Sequence, residues 1–155
     1  MHKILTRITQ GHGREGDLER LQELSELARE VSLCGLGKTA PNPFLSTFRY
    51  FKDEYEAHIN DKRCPARSCK ELVRYFIEPD KCKACMLCLK RCPEDAIDGG
   101  KKKIHTILQD KCTKCGTCLD VCPPRFDAVR KLSGGPLPPP IPEESRLLGR
   151  QTRKT

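Results

Sequence analysis

Eight of the eleven cysteines fall into two runs of identical spacing, Cys82-x2-Cys85-x2-Cys88-x3-Cys92-Pro93 and Cys112-x2-Cys115-x2-Cys118-x3-Cys122-Pro123. A thiolate is a soft anionic donor, and sulfur at this density can hold iron–sulfur clusters, hold zinc or close disulfides. Three thiolates spaced by two residues sit on one curling loop and can grip three corners of a cubane. The proline after each fourth cysteine redirects the chain and removes a competing amide donor. Zinc ribbons show paired Cys-x-x-Cys across a longer loop, not triplets with a trailing Cys-Pro. Disulfides are rare in a reducing compartment. The spacing therefore points to [4Fe–4S] binding and one-electron transfer, because a cluster capped by four thiolates has no open position for substrate or water.

The two runs lie 30 residues apart, with Asp80-Lys81-Cys82 matching Asp110-Lys111-Cys112 and Cys92-Pro93 matching Cys122-Pro123, which is the mark of a duplicated unit. Residues 78–130 resemble bacterial two-cluster ferredoxins, in which the fourth cysteine of each run serves the other cluster. The resemblance implies a crossed assignment. Cys82, Cys85, Cys88 and Cys122 hold one cluster, and Cys112, Cys115, Cys118 and Cys92 hold the second. Lys83, Lys90, Arg91, Lys111 and Lys114 are interleaved with these cysteines. One positive charge at ~10 Å and an effective dielectric of about 20 favours the reduced cluster by ~1.7 kcal/mol, roughly 70 mV, and screening lowers this for exposed lysines. Ala84 and Met86 stand where such loops often carry glycine, as Gly116 does, so the two sites are expected to differ.

These cysteines need elements to hold them, and the chain offers little core for the purpose. It has 155 residues, no Trp and 32% charged residues, so a metal staple is expected. Leu18, Leu21, Leu24, Leu27, Ala28 and Val31 recur at helical spacing, which predicts a helix over Asp17–Ser32, with Asp17 as N-cap and Gly35 and Gly37 ending it. Asn42 as N-cap and Pro43 at the first position predict a second helix with an apolar face of Phe44, Leu45, Phe48, Phe51 and Tyr55. That face suits either another subunit or an intramolecular core. Leu72–Ile77 is a short apolar run, and the Pro-rich, basic tail from Ser133 is expected to stay extended until a partner binds. The fold class is α+β: a helical segment over 1–60 that forms part of a bundle, a joint over 61–77, a ferredoxin-like module over 78–132 and a tail over 133–155.

The stretch Ser32-Leu33-Cys34-Gly35-Leu36-Gly37-Lys38-Thr39-Ala40-Pro41-Asn42-Pro43 carries a further signal, together with Leu45–Phe51 and Asp53–Ile59. It resembles the C-terminal part of the NADH-binding flavoprotein subunit of respiratory complex I and of NAD(P)-linked, often electron-bifurcating, hydrogenases and formate dehydrogenases. In hydrogenase-type members a two-cluster ferredoxin module follows, as here. The family's flavin mononucleotide and NADH sites lie upstream, as does a cysteine triplet that shares a [4Fe–4S] cluster with the position of Cys34. None of these is in this sequence, which holds no Gly-rich nucleotide loop. Cys34 is then either the fourth ligand of a cluster completed by another chain, or a free thiol.

His58, Cys64 and Cys69 form a second set, one imidazole and two thiolates that suit zinc, with no fourth ligand nearby; the alternative is two ordinary thiols beside a surface histidine. His2, His12 and His105 show no partner pattern and are expected at the surface. The formal charge of +8 asks for an acidic partner. It also disfavours a diffusible ferredoxin, which is typically acidic, and the lack of aromatics among the basic residues disfavours nucleic acid. No paired carboxylates, Ser-His-Asp set or phosphate loop supports catalysis by this chain alone. With no secretory signal and no apolar run of ~18 residues, a cytoplasmic location and no membrane span are expected. The implied partners are a flavoprotein subunit, other redox subunits and soluble ferredoxin.

Overall fold

A computed structural model describes residues 1–148. The chain divides into two units, one of residues 1–73 with Ser133–Gly135, the other of Arg74–Leu132 with the chain from Pro136 onward. The joint expected over 61–77 is thus split between them.

The first unit is helical. Helix α1 (His2–Thr9) presents Ile4, Leu5 and Ile8 on one side; α2 (Asp17–Val31) and α4 (Asn42–Tyr50) follow the predicted periodicity, and α5 (Lys52–Ile59) completes the set. Ile8, Leu18, Leu21, Phe44 and Ile59 form its core, with Leu21 fully buried. Phe44 stacks on Phe48 at 5.4 Å between ring centroids and meets Tyr55 edge-on at 5.8 Å. The aromatic face therefore packs within the unit. Phe51 is the exception. It lies at the break between α4 and α5 and stays half exposed, so the predicted second helix is two.

Other details also differ from expectation. Asp17 is the first residue of α2, after Gly16 at φ 83°. Its carboxylate accepts from the Arg14 amide at 2.8 Å and pairs with the Arg7 guanidinium. Burial pushes that carboxyl up, but the Arg14 amide and Arg7 outweigh it and hold it below its usual value. Gly35 does not merely end a helix. It opens a short one, α3 (Gly35–Thr39), capped by the Cys34 sulfur, which accepts from the Gly37 amide at 3.5 Å.

The second unit shows the duplication as structure. Strand β1 (Val73–Ile77) pairs with β4 (Val129–Ser133), and β2 (Ile97–Gly100) pairs antiparallel with β3 (Lys103–Ile107). Two short helices, α6 (Leu87–Arg91) and α7 (Thr117–Asp120), carry the third cysteine of each run. Tyr75, Ile77, Ile97, Ile104, Ile107, Ala128 and Val129 form an apolar core together with Cys82, Cys88 and Cys118. In the β2–β3 pair the register shifts between Asp98 and Gly100, which sets Gly99 beside the His105 ring.

The tail is a correction for residues 143–148. Residues 136–142 have no helix or strand, but Glu143–Arg146 forms a 3-10 turn that docks on β2 and β3. Arg146 is buried and donates to the Ile104 carbonyl at 3.0 Å, the Asp98 carboxylate at 2.6 Å and the Asp98 carbonyl at 2.8 Å. A guanidinium needs several acceptors once buried, and the strand edge supplies them. The basic end of the expected tail, residues 149–155, lies outside the described residues. Among the described residues no helix is long and apolar enough to cross a membrane.

Candidate metal centres

The eight cysteines of the two runs line two small pockets in the second unit. One is walled by Cys82, Cys85, Cys88 and Cys122, the other by Cys112, Cys115, Cys118 and Cys92. Each pocket thus draws three sulfurs from one loop and the fourth from the other.

The loops reach this shape through left-handed residues. Ala84 (φ 51°) and Met86 (φ 68°) in the first match Lys114 (φ 57°) and Gly116 (φ 90°) in the second. Three of the four carry a Cβ in a region that disfavours it by ~1–2 kcal/mol. Met86 and Gly116 precede α6 and α7 directly, so the strained turn aims the helix that brings Cys88 or Cys118 inward.

Burial pushes the Cys88 thiol up to about 11, with Cys82 and Cys85 adding to it, and the Cys118 thiol up to about 12, with Cys112 adding to it. The Thr117 hydroxyl and amide hold Cys115 below the ordinary thiol value. Without metal the inner sulfurs are therefore neutral thiols, and metal entry must release their protons. Four soft donors on mostly apolar walls, with Lys83 and His105 in one pocket and Glu94, Thr113 and Thr117 in the other, fit an iron–sulfur cluster.

One residue of the first pocket departs from expectation. His105 is not at the surface but 1% exposed. Its Nδ1 lies 3.5 Å from the Cys88 sulfur and 3.9 Å from the Cys82 sulfur, and its Nε2 has no hydrogen-bond partner among the described residues. Burial, and then the Arg146 charge, hold this imidazole below its ordinary pKa. A signal did exist: His105 stands 30 residues after Tyr75, in the register of the repeat, and Tyr75 lines the other pocket.

The first unit gathers a third group. One ligand atom from each of His58, Cys64 and Cys69 lies within 4.8 Å of the others. His58 Nδ1 lies 2.6 Å from the Glu54 carbonyl, which can only accept, so Nδ1 carries the proton and Nε2 offers a lone pair 3.3 Å from the Cys69 sulfur. Cys64 accepts from the Ser68 and Cys69 amides at 3.3 and 3.5 Å. Burial raises the Cys64 thiol, but these amides outweigh it and leave it below its ordinary value, whereas burial and Cys64 push Cys69 up to about 11. A backbone-oriented imidazole beside a thiolate-prone sulfur fits the donor chemistry of zinc. His58 is buried rather than at the surface.

Cys34 is exposed, flanked by exposed Val31, Leu33 and Leu36.

Comparison with known proteins agrees with this division. Residues 1–58 match the NADH-ubiquinone oxidoreductase-F iron-sulfur binding region, and residues 75–130 match the 4Fe-4S dicluster domain. The HndC component of the NADP-reducing hydrogenase of Solidesulfovibrio fructosivorans is 51% identical over 105 residues, covering 68% of this chain and 21% of that protein. The F component of the NADH-quinone oxidoreductase of Streptomyces coelicolor is 36% identical over 63 residues, covering 41% and 14%. The B component of the ion-translocating oxidoreductase complex of Rhodobacter capsulatus is 54% identical over 33 residues, covering 21% and 18%. The chain therefore spans about a fifth or less of each of these relatives. It carries two iron–sulfur domains in tandem and resembles the C-terminal part of the flavoprotein subunit of complex I and NAD(P)-linked hydrogenases, fused to a two-cluster ferredoxin module.

Proposed function

We propose that this chain relays single electrons as the iron–sulfur portion of a multisubunit NAD(P)-linked oxidoreductase, between a flavin subunit and a second redox partner in the cytoplasm. The observation that carries the reading is the pair of pockets, each walled by four cysteines drawn crosswise from the two runs. Cys82, Cys85, Cys88 and Cys122 hold one [4Fe–4S] cluster, and Cys112, Cys115, Cys118 and Cys92 the other. Bound clusters of this kind supply reversible one-electron transfer. The chain's own residues fix their positions, exclude water and set the local charge. Co-purification with a flavoprotein, and loss of electron transfer from NAD(P)H to an acceptor when Cys88 is replaced, test this. A chain that purifies alone, monomeric and fully loaded, counts against it.

Two further sites complete the proposal. Cys34 supplies the fourth thiolate to a [4Fe–4S] cluster whose other ligands lie outside this sequence. Its exposure, and that of Val31, Leu33 and Leu36 around it, support a surface that another polypeptide segment covers. Iron analysis tests it: three complete clusters on this sequence alone would sink the shared site. His58, Cys64 and Cys69 hold a structural zinc with a fourth ligand from water or another chain. X-ray fluorescence at the zinc edge tests that, and an absent signal removes it.

A further inference from the structure

We propose that His105 makes the two ferredoxin-type sites unequal, its Nδ1–H donating to the sulfurs of Cys88 and Cys82 and raising the reduction potential at that site above the potential at its repeat-related partner. The inference rests on the two-cluster reading above and concerns which cluster an electron settles on.

The geometry places the ring beyond the reach of solvent, with Nδ1 3.5 Å from Cys88 Sγ and 3.9 Å from Cys82 Sγ. A neutral imidazole carries one N–H. On Nε2 that hydrogen would be a buried donor with no acceptor among the described residues, which is costly. On Nδ1 it meets two sulfurs. The tautomer is assigned on this ground.

The seat for the ring is built by its neighbours. A Cβ at Gly99 would run into the His105 ring, clashing with Cδ2, and would lie 2.9 Å from Cγ and 3.1 Å from the His105 Cα. The register shift between Asp98 and Gly100 and the bare glycine at 99 open the space that the imidazole fills.

The repeat gives the control. The position 30 residues before His105 is Tyr75, likewise buried and likewise in a pocket wall, now beside Cys112, Cys115 and Cys118. The Tyr75 hydroxyl sits over the Gly116 turn, 2.9 Å from where a Cβ would stand, so an aromatic phenol occupies the place of the imidazole. The two pockets share an aliphatic lining, Ile77, Ala128 and Val129 in one and Ile107, Ala96 and Ile97 in the other. Lys83 and Phe126 line only the first, and Glu94, Thr113 and Thr117 only the second, where the Thr117 hydroxyl lies 3.3 Å from the Cys115 sulfur. An N–H aimed at a ligand sulfur stabilises the more negative, reduced state and so raises the potential. Tyr75 offers only its hydroxyl as a donor, and among the described residues that hydroxyl makes no hydrogen bond to a cysteine sulfur; it lies over the Gly116 turn instead.

The test uses the full chain, loaded anaerobically, with His105→Phe and Gly99→Ala. Electron paramagnetic resonance follows a potentiometric titration, and wild type is expected to show two separated midpoints. His105→Phe should lower the higher midpoint by about tenfold in its equilibrium constant, ~59 mV for one electron, and leave the lower in place. Gly99→Ala, which displaces the ring, should move the same midpoint in the same direction. Unchanged midpoints in a His105→Phe protein with about eight iron atoms per chain overturn the inference while sparing the two-cluster reading. If His105→Phe loses iron, wild type grown with 15N-histidine decides. A hyperfine coupling from that nitrogen to one reduced cluster is expected, and its absence overturns the proposal. Wild-type protein without iron defeats the two-cluster reading and this inference with it.

Discussion

Met86 and Gly116 occupy the same place in the repeat and should respond to substitution with opposite signs. Met86 lies at φ 68°, ψ −1° immediately before α6, and Gly116 at φ 90°, ψ −10° immediately before α7. Met86→Gly removes a left-handed penalty of ~1–2 kcal/mol. It adds unfolded-state freedom that costs about 0.5–1 kcal/mol. The partly buried Met86 side chain lies outside the apolar core of its unit, so little packing is lost. The net expectation is ~0.5–1 kcal/mol of added stability. Gly116→Ala incurs the same left-handed penalty and also sets a Cβ 2.9 Å from the Tyr75 hydroxyl, so the loss should reach ~2–4 kcal/mol. For a domain of this size 1 kcal/mol moves Tm by about 4–8 °C. Anaerobic thermal unfolding of the loaded protein, read by loss of the cluster absorbance, resolves shifts of that size. A Met86→Gly protein that melts several degrees below wild type would refute the reasoning that backbone strain, not the side chain, governs this position.

Other outcomes follow from the same geometry. Cys122→Ser should abolish the signal of the site walled by Cys82, Cys85 and Cys88 and spare the other, and Cys92→Ser should do the reverse, as checked by electron paramagnetic resonance. Cys64→Ser should remove zinc measured by X-ray fluorescence without changing iron content, since the three zinc-site residues belong to the first unit. Arg146→Ala should cost ~1–3 kcal/mol by leaving the Ile104 carbonyl and Asp98 without their donor, and should make the chain after Ile141 open to limited proteolysis. The Arg146 guanidinium holds the Asp98 carboxyl below the usual carboxylate range, so this docking is fully present above that range. It should be lost as pH falls through the depressed folded value. Docking, read by the same proteolysis, that weakens on going from about pH 5 to 7 would contradict that sign.

Much of the site was legible because thiolate spacing is a strong constraint. The runs and their 30-residue offset follow from local sequence, and Ala84 and Met86 were marked as standing where such loops often carry glycine, which the structure explains by their positive φ. The helices over α2 and α4 were legible from leucine and aromatic periodicity. What was missed depends on distance along the chain. His105 has no cysteine beside it in sequence, and only the repeat register, extended upstream to Tyr75, could have placed it in a pocket wall. Arg146 finds its acceptors at Asp98 and Ile104, more than 40 residues away, so a tail rich in proline looked free when its described end is anchored. Ile4, Leu5 and Ile8 carry helical spacing for α1, but so short an apolar stripe does not stand out without the core it packs on. The break at Phe51 was hidden by an apolar stripe that continues smoothly through it.

Iron and acid-labile sulfide measured per chain in anaerobically prepared protein, with spectra taken after dithionite reduction, test the assignment of the eight cysteines most directly. Two cubanes predict about eight of each and the broadened signal of two coupled paramagnets. Colourless protein with bound zinc and no paramagnetic signal would contradict the assignment of the eight cysteines, and with it the electron-relay reading.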